Sequence, residues 1–588
     1  MLPLTRSRNR ARFFGIPFSP SSLFAAGEQG AWYDPSDYST LFTDSAGTTP
    51  VTGVEQFVGL MLDKSKGLVL GPELVTNGGP GFTATTGWGV SNATVTASGG
   101  KLVCEKTGAS SAVYWTLATA IGTWYQVNIS WENVNATNPS ILVNSTGGLS
   151  ITTSNTTATV YFLAVATSTF VQMQLGSGAV GTQTRIISLS TKTIPGNHAF
   201  QTSSAKRPKL AARYNLLTYS EEFDVGGAGA WSSVGLTRTA NTDVAPDGTT
   251  SADTVTGTST TNAVLYNTTP ISVIASSVTL SIYVKAGTAA FVVLSLWAGS
   301  GGNGANQWFD LQAGTLGSTT ATAGYSITSS ASTSLPNGWY RISITGNVPT
   351  ASLYMSFRIV DADGTFVYTN TVGDTAIIWG ADLRPADQAT GLIGPTYQRV
   401  AAATVYDTAG FLPYLAFDGL TWSMSTNSIN PGAVDKAQVF AGVRKLSDGV
   451  QVFAEHSADY NANNGTWLMW SNTGANNSWY FDSKGTTIAS GKDPALSAAP
   501  ITSVLTGIGD ISAPLVELRK NGVSVVTNTN TQGTGNYLTY PLFIGMRNNA
   551  SFQFNGWMSS LIVRFGPNLS TSQIEATEAW VNSRTGAF

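Results

Sequence analysis

Apolar and polar residues alternate one by one along much of the chain. The stretches Tyr125-Gln126-Val127-Asn128-Ile129-Ser130-Trp131 and Val278-Thr279-Leu280-Ser281-Ile282-Tyr283-Val284 keep this period of two throughout. Such a period puts successive side chains on opposite faces and predicts half-buried antiparallel strands. Gly338 to Ile344, Ala376 to Leu383, Gln438 to Arg444 and Val516 to Val525 read as further strands, the last broken at Asn521-Gly522, a strong hairpin signal. The chain's end departs from this pattern. Ser570-Thr571-Ser572-Gln573 forms a capping box ahead of Ile574, Thr577, Trp580 and Val581, so a short helix should lay these residues on a sheet.

Two stretches follow one plan. Leu74-Val75-Thr76, Trp88 and Ala93 to Ala97 in the first correspond in order to Leu216-Leu217-Thr218, Trp231 and Leu236 to Ala240 in the second. Internal repetition of this kind decides architecture before local detail does. Short strands joined by Gly and Asn turns predict two-sheet jelly rolls. The fold class is therefore all-β: tandem jelly-roll sandwiches, a further C-terminal sandwich and a short terminal helix. The expected division is an attachment segment over 1–70, jelly rolls over 71–195 and 215–395, a linker over 196–214 and a last domain over 396–588. Residues Gly27 to Lys66 hold too little apolar material for a core of their own and are expected to pack on a neighbouring domain or another protein.

Composition narrows the function classes. Charged residues make up only 11% of the 588 residues, against roughly a quarter in ordinary soluble domains, which excludes coiled coils, helix bundles and charge-driven disorder. A net charge of −3 provides no general field for a phosphate backbone. Lys206, Arg207 and Lys209 form the one interior basic cluster; it has no aromatic stacking platform beside it and reads as a solvated linker, so no nucleic acid is expected. Cys104 is the single cysteine, which excludes an intrachain disulfide framework. No apolar run approaches a membrane span, and Pro17 and Pro20 interrupt the only candidate signal segment. The chain is expected to be made without a signal peptide and not to enter a membrane.

The residues Asn215 to Phe223, Ala245 to Thr249, Tyr283 to Gly287, Gly338 to Arg341 and Trp379 to Ala381 resemble carbohydrate-binding-module-like jelly rolls of tailed-phage fibre and spike proteins. Phe417-Asp418-Gly419, Lys520 to Val523 and Phe554-Asn555-Gly556 are similar to concanavalin A/laminin G-like sandwiches, and Pro17 to Asp37 to the N-terminal segments of phage structural proteins. The resemblance implies a virion surface protein, assembled in the host cytoplasm, that binds host cell-surface polysaccharide. It also implies other virion proteins as partners through the N-terminal segment, and a homo-oligomer with a trimer as first expectation. A capsid or tail decoration without receptor, and a carbohydrate-active depolymerase, are the alternatives. Leu420-Thr421-Trp422 replaces the Asp-Asp-Tyr that often follows Phe-Asp-Gly in laminin G-like domains, which puts calcium there in doubt.

Candidate residues follow from chemistry. Trp and Tyr faces pack on the C–H faces of sugar rings while polar neighbours bond the hydroxyls. Trp467, Trp470, Trp479 and Tyr480, beside Asn472, Asn476 and Asn477, are therefore the glycan-binding candidates, although alternation on one strand sends at least one Trp to the core. Arg6, Arg8, Arg10 and Arg12, at period-two spacing, either dock an acidic partner or form a solvated terminus; with Trp32 and Tyr33 they are the virion-attachment candidates. Glu132, Glu455, Asp459 and Asp482 are formal carboxylates for a glycosidase, none in an identifying motif, so no enzyme is expected. His198 reads as a linker residue and His456 as a strand end entering a polar loop. Asp361-Ala362-Asp363-Gly364 opens like a calcium loop without its later ligands. No cofactor is expected, and structural calcium stays open.

Overall fold

The computed structural model describes residues 18–588 apart from 137, 145–148, 153–155, 274–275, 300–303, 323, 350, 365–368, 387–393 and 549. Arg6, Arg8, Arg10 and Arg12 lie outside the described residues. The protein is all-β, built of tandem β-sandwiches with the terminal helix Thr571–Thr585.

The two jelly rolls share one strand plan, to which the second adds strands. One sheet of the first runs Leu149–Thr152, Ser140–Asn144, Ser168–Gln174, Ala112–Ala118, Trp88–Ser91. In the second jelly roll the corresponding sheet, taken in the same direction, runs Gly304–Asp310, Phe291–Trp297, Ala351–Val360, Val264–Asn267, Trp231–Val234, with Thr315–Ala321 added at the Gly304–Asp310 edge. Small fixtures repeat as well. The Trp88 indole donates to the Asn77 carbonyl at 2.9 Å and the Trp231 indole to the Tyr219 carbonyl at 2.8 Å. Glu73 accepts from the backbones of Val75 and Thr191, and Asn215 likewise from Leu217 and Leu383. Each side chain thus pins the opening segment of its jelly roll to the closing strand.

The third sandwich is assembled from separated parts of the chain. Its long strand Asn555–Phe565 pairs on one side with Lys436–Lys445 and on the other with two short strands end to end, Tyr414–Asp418 and Gln29–Tyr33. The facing sheet begins with Leu41–Phe42, Leu60–Met61 and Ala199–Phe200 before reaching Met424–Ser425. Ala31, Tyr33, Leu41, Met61, Ala199 and Leu210 share one core with Val439, Phe453 and Trp467. Both jelly rolls are therefore excursions from this sandwich.

This placement corrects two expectations. Residues 196–214 are not a solvated linker: Ala199–Phe200 and Lys209–Ala211 are strands in opposite sheets, Lys209 pairs with Glu55 at 3.0 Å, and the Arg207 guanidinium donates to the Thr43 and Gln201 carbonyls. Trp32 and Tyr33 are not an attachment surface. Trp32 packs edge-on to Trp580 of the helix at 5.5 Å, and the fully buried Tyr33 donates its hydroxyl to the Asn197 carbonyl. Apolar strands this short cover their side chains only by joining a neighbouring sheet.

Polar hubs lock the chain where it leaves and re-enters. The buried Asp63 carboxylate accepts the N–H groups of Trp32, Ser65 and Asn197 at 2.7–2.8 Å. His198 is fully buried beside Trp124 rather than sitting in an open linker. At the second junction the buried Gln398 accepts from the Tyr214 and Asn215 N–H groups and donates to the Ala212 and Asp407 carbonyls. Its own N–H donates to Asp382, which also holds Arg384 through two bonds of 2.7 Å. The helix is capped by Ser570 as expected and packs Val581, Ile574 and Trp580 on Phe440, Val504 and Ile562. It approaches Gly442 so closely that a Cβ there would lie 2.0 Å from the Thr585 hydroxyl.

Two outcomes follow. Asp382→Ala leaves the Arg384 guanidinium buried without its carboxylate and should lower unfolding free energy by about 3–5 kcal/mol, read from the denaturation midpoint. Burial pushes the His198 imidazole down to about 3, and its Nδ1 accepts the Asp63 N–H at 2.9 Å, which only an unprotonated nitrogen can do. Its contribution is complete above the unfolded value near 6.5 and is lost as pH falls from there toward 3. Between pH 7 and pH 5 the protein should lose about 2 kcal/mol more than His198→Asn does; parallel stability profiles would refute this.

Candidate functional site

The four C-terminal aromatics divide by strand face. Trp467 and Trp479 are fully buried in the sandwich core, because alternation turns Trp467 and Met469 inward and Leu468 and Trp470 outward. As interior residues they are not available to a glycan. Trp470 and Tyr480 are register partners on the other face and stack at 4.4 Å. Trp470 gives its indole N–H to Asp482, and the Lys492 ammonium stands 5.9 Å from the Tyr480 ring centre and donates to Asn476. Tyr480 keeps 9% of its surface exposed while Trp470 is half-buried, so what free ring face this pair has belongs to Trp470.

The carboxylates are likewise engaged. Glu132 is bridged by Lys101 and Arg185, the Lys101 hydrogen bond holding its carboxyl low. Glu455 and Asp482 stand in one cross-strand row, with Leu468 between them. Burial raises both carboxyl groups above their usual range. The Glu455 carboxylate accepts from the Ser457 hydroxyl, and Arg547 lies 3.9 Å away while covering Tyr460 and bonding Asn461. This cluster ties the loop after His456 to the sheet. Asp459 caps a turn in that loop. His456 closes strand Gln451–His456 ahead of a polar loop, as expected, and its side chain is buried against Trp467 and Phe565, where burial pushes its imidazole down to about 3.

The carboxylates of the candidate loops bond to the protein itself. Asp361 accepts from the Thr371 N–H and Asp363 from Ser318. Asp418 caps the N–H groups of Leu420, Thr421 and Trp422. Among the described residues no group of three or more His, Cys, Asp or Glu side chains comes together.

An open aromatic surface lies on the second jelly roll. Along Phe291–Trp297 and Ala351–Val360, Leu294, Leu296, Met355 and Phe357 face the core. Ser295, Trp297, Tyr354, Ser356 and Arg358 therefore point to the other face. Trp297 and Tyr354 are register partners, and Tyr266 pairs with Ser356 on the adjoining strand. Trp297 stands 5.6 Å from both Tyr266 and Tyr354. The three half-buried rings, with Asn262, Thr268 and Arg358, line a cavity of about 280 Å³, near the small end of ligand pockets. Arg358 is held by the Ser356 hydroxyl at 2.7 Å and lies 5.8 Å from the Trp297 ring centre. Gly299 is required here: its φ is +85°, and a Cβ would lie 2.5 Å from the Tyr354 ring.

Rings bracketing a hydroxyl-lined hollow on a rigid sheet can hold a sugar face while side chains bond its edges. Sequence reasoning missed this site because its three rings come from three strands far apart in the chain, whereas the C-terminal aromatics are clustered in sequence. The available signal was an aromatic at the outward phase of an alternating strand, as at Trp297.

No family model matches the chain, and no curated protein matches it. Solved structures similar to it include domain 4 of AbnA, a GH43 extracellular arabinanase from Geobacillus stearothermophilus, with 15% identity, 30% of this chain and 82% of that one covered and a TM-score of 0.24. The CBM40 of the Ruminococcus gnavus IT-sialidase is 12% identical, covering 25% of this chain and 84% of its own, with a TM-score of 0.21. The CBM22-1-CBM22-2 tandem of Paenibacillus barcinonensis Xyn10C is 14% identical, covering 54% of this chain and 98% of its own, with a TM-score of 0.22. The functional reading accordingly rests on the site.

Proposed function

We propose that this chain is a non-enzymatic glycan-binding protein that takes a saccharide on the outer sheet face of its second jelly roll. The observation that carries this reading is the cavity ringed by Tyr266, Trp297 and Tyr354. Trp297 supplies the central ring, Tyr266 and Tyr354 its flanks, and Asn262 and Thr268 offer polar groups to hydroxyls. The resemblance of its segments to phage fibre and spike proteins extends the proposal: a virion component that adsorbs to host surface polysaccharide. The depolymerase alternative draws on Glu455 and Asp482, but both are buried under Arg547 and Tyr460 and serve better as a structural cluster.

The test is titration of full-length protein with polysaccharide extracted from host envelopes, followed by tryptophan fluorescence and by reducing-end release. Saturable quenching without reducing ends is expected. Trp297→Ala should weaken binding at least tenfold, about 1.4 kcal/mol, with Tm little changed. Unchanged affinity in that variant would overturn the site, and accumulating reducing ends would overturn the non-enzymatic reading.

A further inference from the structure

The repeat places a second version of this face on the first jelly roll. Register fixes the correspondence, because Tyr114 pairs with Gln172 and Ala112 with Gln174 just as Tyr266 pairs with Ser356 and Val264 with Arg358. Tyr114 thus stands where Tyr266 does, Phe170 where Tyr354 does, and Gln174 where Arg358 does. Asn144, the register partner of Phe170, takes the place of Trp297, the partner of Tyr354. Inward neighbours Val113, Trp115, Val171 and Met173 belong to the core, so the other phase faces outward.

The corresponding surface is built in the same manner. Tyr114 and Phe170 meet edge-on at 5.3 Å, and Phe170 is 38% exposed. Gly89 does for Tyr114 what Gly299 does for Tyr354, since a Cβ there would lie 2.4 Å from the ring. A cavity of about 230 Å³, lined by Ser110, Ser111, Asn138, Ser140, Gln174 and Gly176, opens at the Gln174 end of this face with no ring in its wall, whereas the larger cavity is walled by its three rings and Arg358. Chance exposure of one aromatic does not explain two rings at matched register positions on a face whose hollow opens at the position matching Arg358.

We propose that the first jelly roll carries a second saccharide site, with Tyr114 and Phe170 as its platform and Gln174 and Ser140 at its polar end. The proposal rests on the glycan-binding reading of the second jelly roll. Among the described residues the side chains lining this hollow are uncharged and its platform has two rings rather than three, so it takes a neutral, hydroxyl-rich sugar more weakly than the first. Both sites sit on one chain, so a long polysaccharide engages the second site at an effective concentration that a short oligosaccharide does not provide.

The experiment uses the full chain and neutral gluco-, xylo-, manno- and arabino-hexasaccharides in calorimetric titration, with the matching polysaccharides cast into native gels. Variants are Trp297→Ala, the pair Tyr114→Ala and Phe170→Ala, and all three together, each checked for unchanged Tm. Two sites per chain are expected, falling to one in either partial variant and to none in the triple. Gel retardation should drop at least tenfold in each partial variant. One site per chain, lost with Trp297 and indifferent to Tyr114 and Phe170, overturns the second site and leaves the first standing. Binding that ignores Trp297 but is lost with Tyr114 and Phe170 overturns the first and upholds the second. Absence of binding to every hexasaccharide and polysaccharide overturns both.

Discussion

Strand Asn555–Phe565 is the piece on which the rest of the molecule depends. Its backbone is paired along one side by Lys436–Lys445 and along the other by Gln29–Tyr33 and Tyr414–Asp418, strands almost four hundred residues apart. The Arg564 guanidinium adds an ion pair to Glu28 at 2.6 Å and bonds to the Leu23 carbonyl and to Gln438. Both jelly rolls leave this sandwich and return to it, through Asp63 and Asn197 at one junction and Gln398 and Asn215 at the other. The aromatic faces are therefore carried on domains tethered at both ends, with the ring contact of Phe42 and Tyr161 seating one base and the cation–π contact of Arg384 and Phe411 the other.

What the sequence made legible was local. The period of two across Trp124–Asn133 and Ser276–Ala286, the capping box at Ser570 and the turn at Asn521-Gly522 act over a few residues, and each appears where expected. The ordered match of Trp88 with Trp231 also survives as a shared fixture. What escaped were pairings between distant segments. Leu41–Phe42 and Ala199–Phe200 are too short to show any period, and nothing in their composition says that they join a sheet completed by residues beyond 420. The same limit turned buried Trp32 and Tyr33 into attachment candidates and buried His198 into a linker residue, since burial there comes from partners far away in the chain.

The candidate site divides along the same line. Clustering in sequence drew attention to Trp467, Trp470, Trp479 and Tyr480, but adjacent strands place half of such a cluster inside by alternation alone. The rings of the second jelly roll are gathered by sheet order, so they become neighbours only once Val264–Asn267, Phe291–Trp297 and Ala351–Val360 are known to lie side by side. Repetition extends this to the first jelly roll, where the register rather than residue identity carries the equivalence.

Pairing of Gln29–Tyr33 with Leu561–Phe565 has a consequence for how the chain is made. During synthesis the first strand emerges more than five hundred residues before its partner, so it waits unpaired while both jelly rolls, whose sheets are each complete within one continuous stretch, are free to fold. Contacts of such sequence separation form slowly, and an unpaired apolar strand is open to the wrong neighbour. The ribosome thus delivers two finished domains before the sandwich that holds them, and closure of that sandwich is the step at which assembly within the chain succeeds or fails.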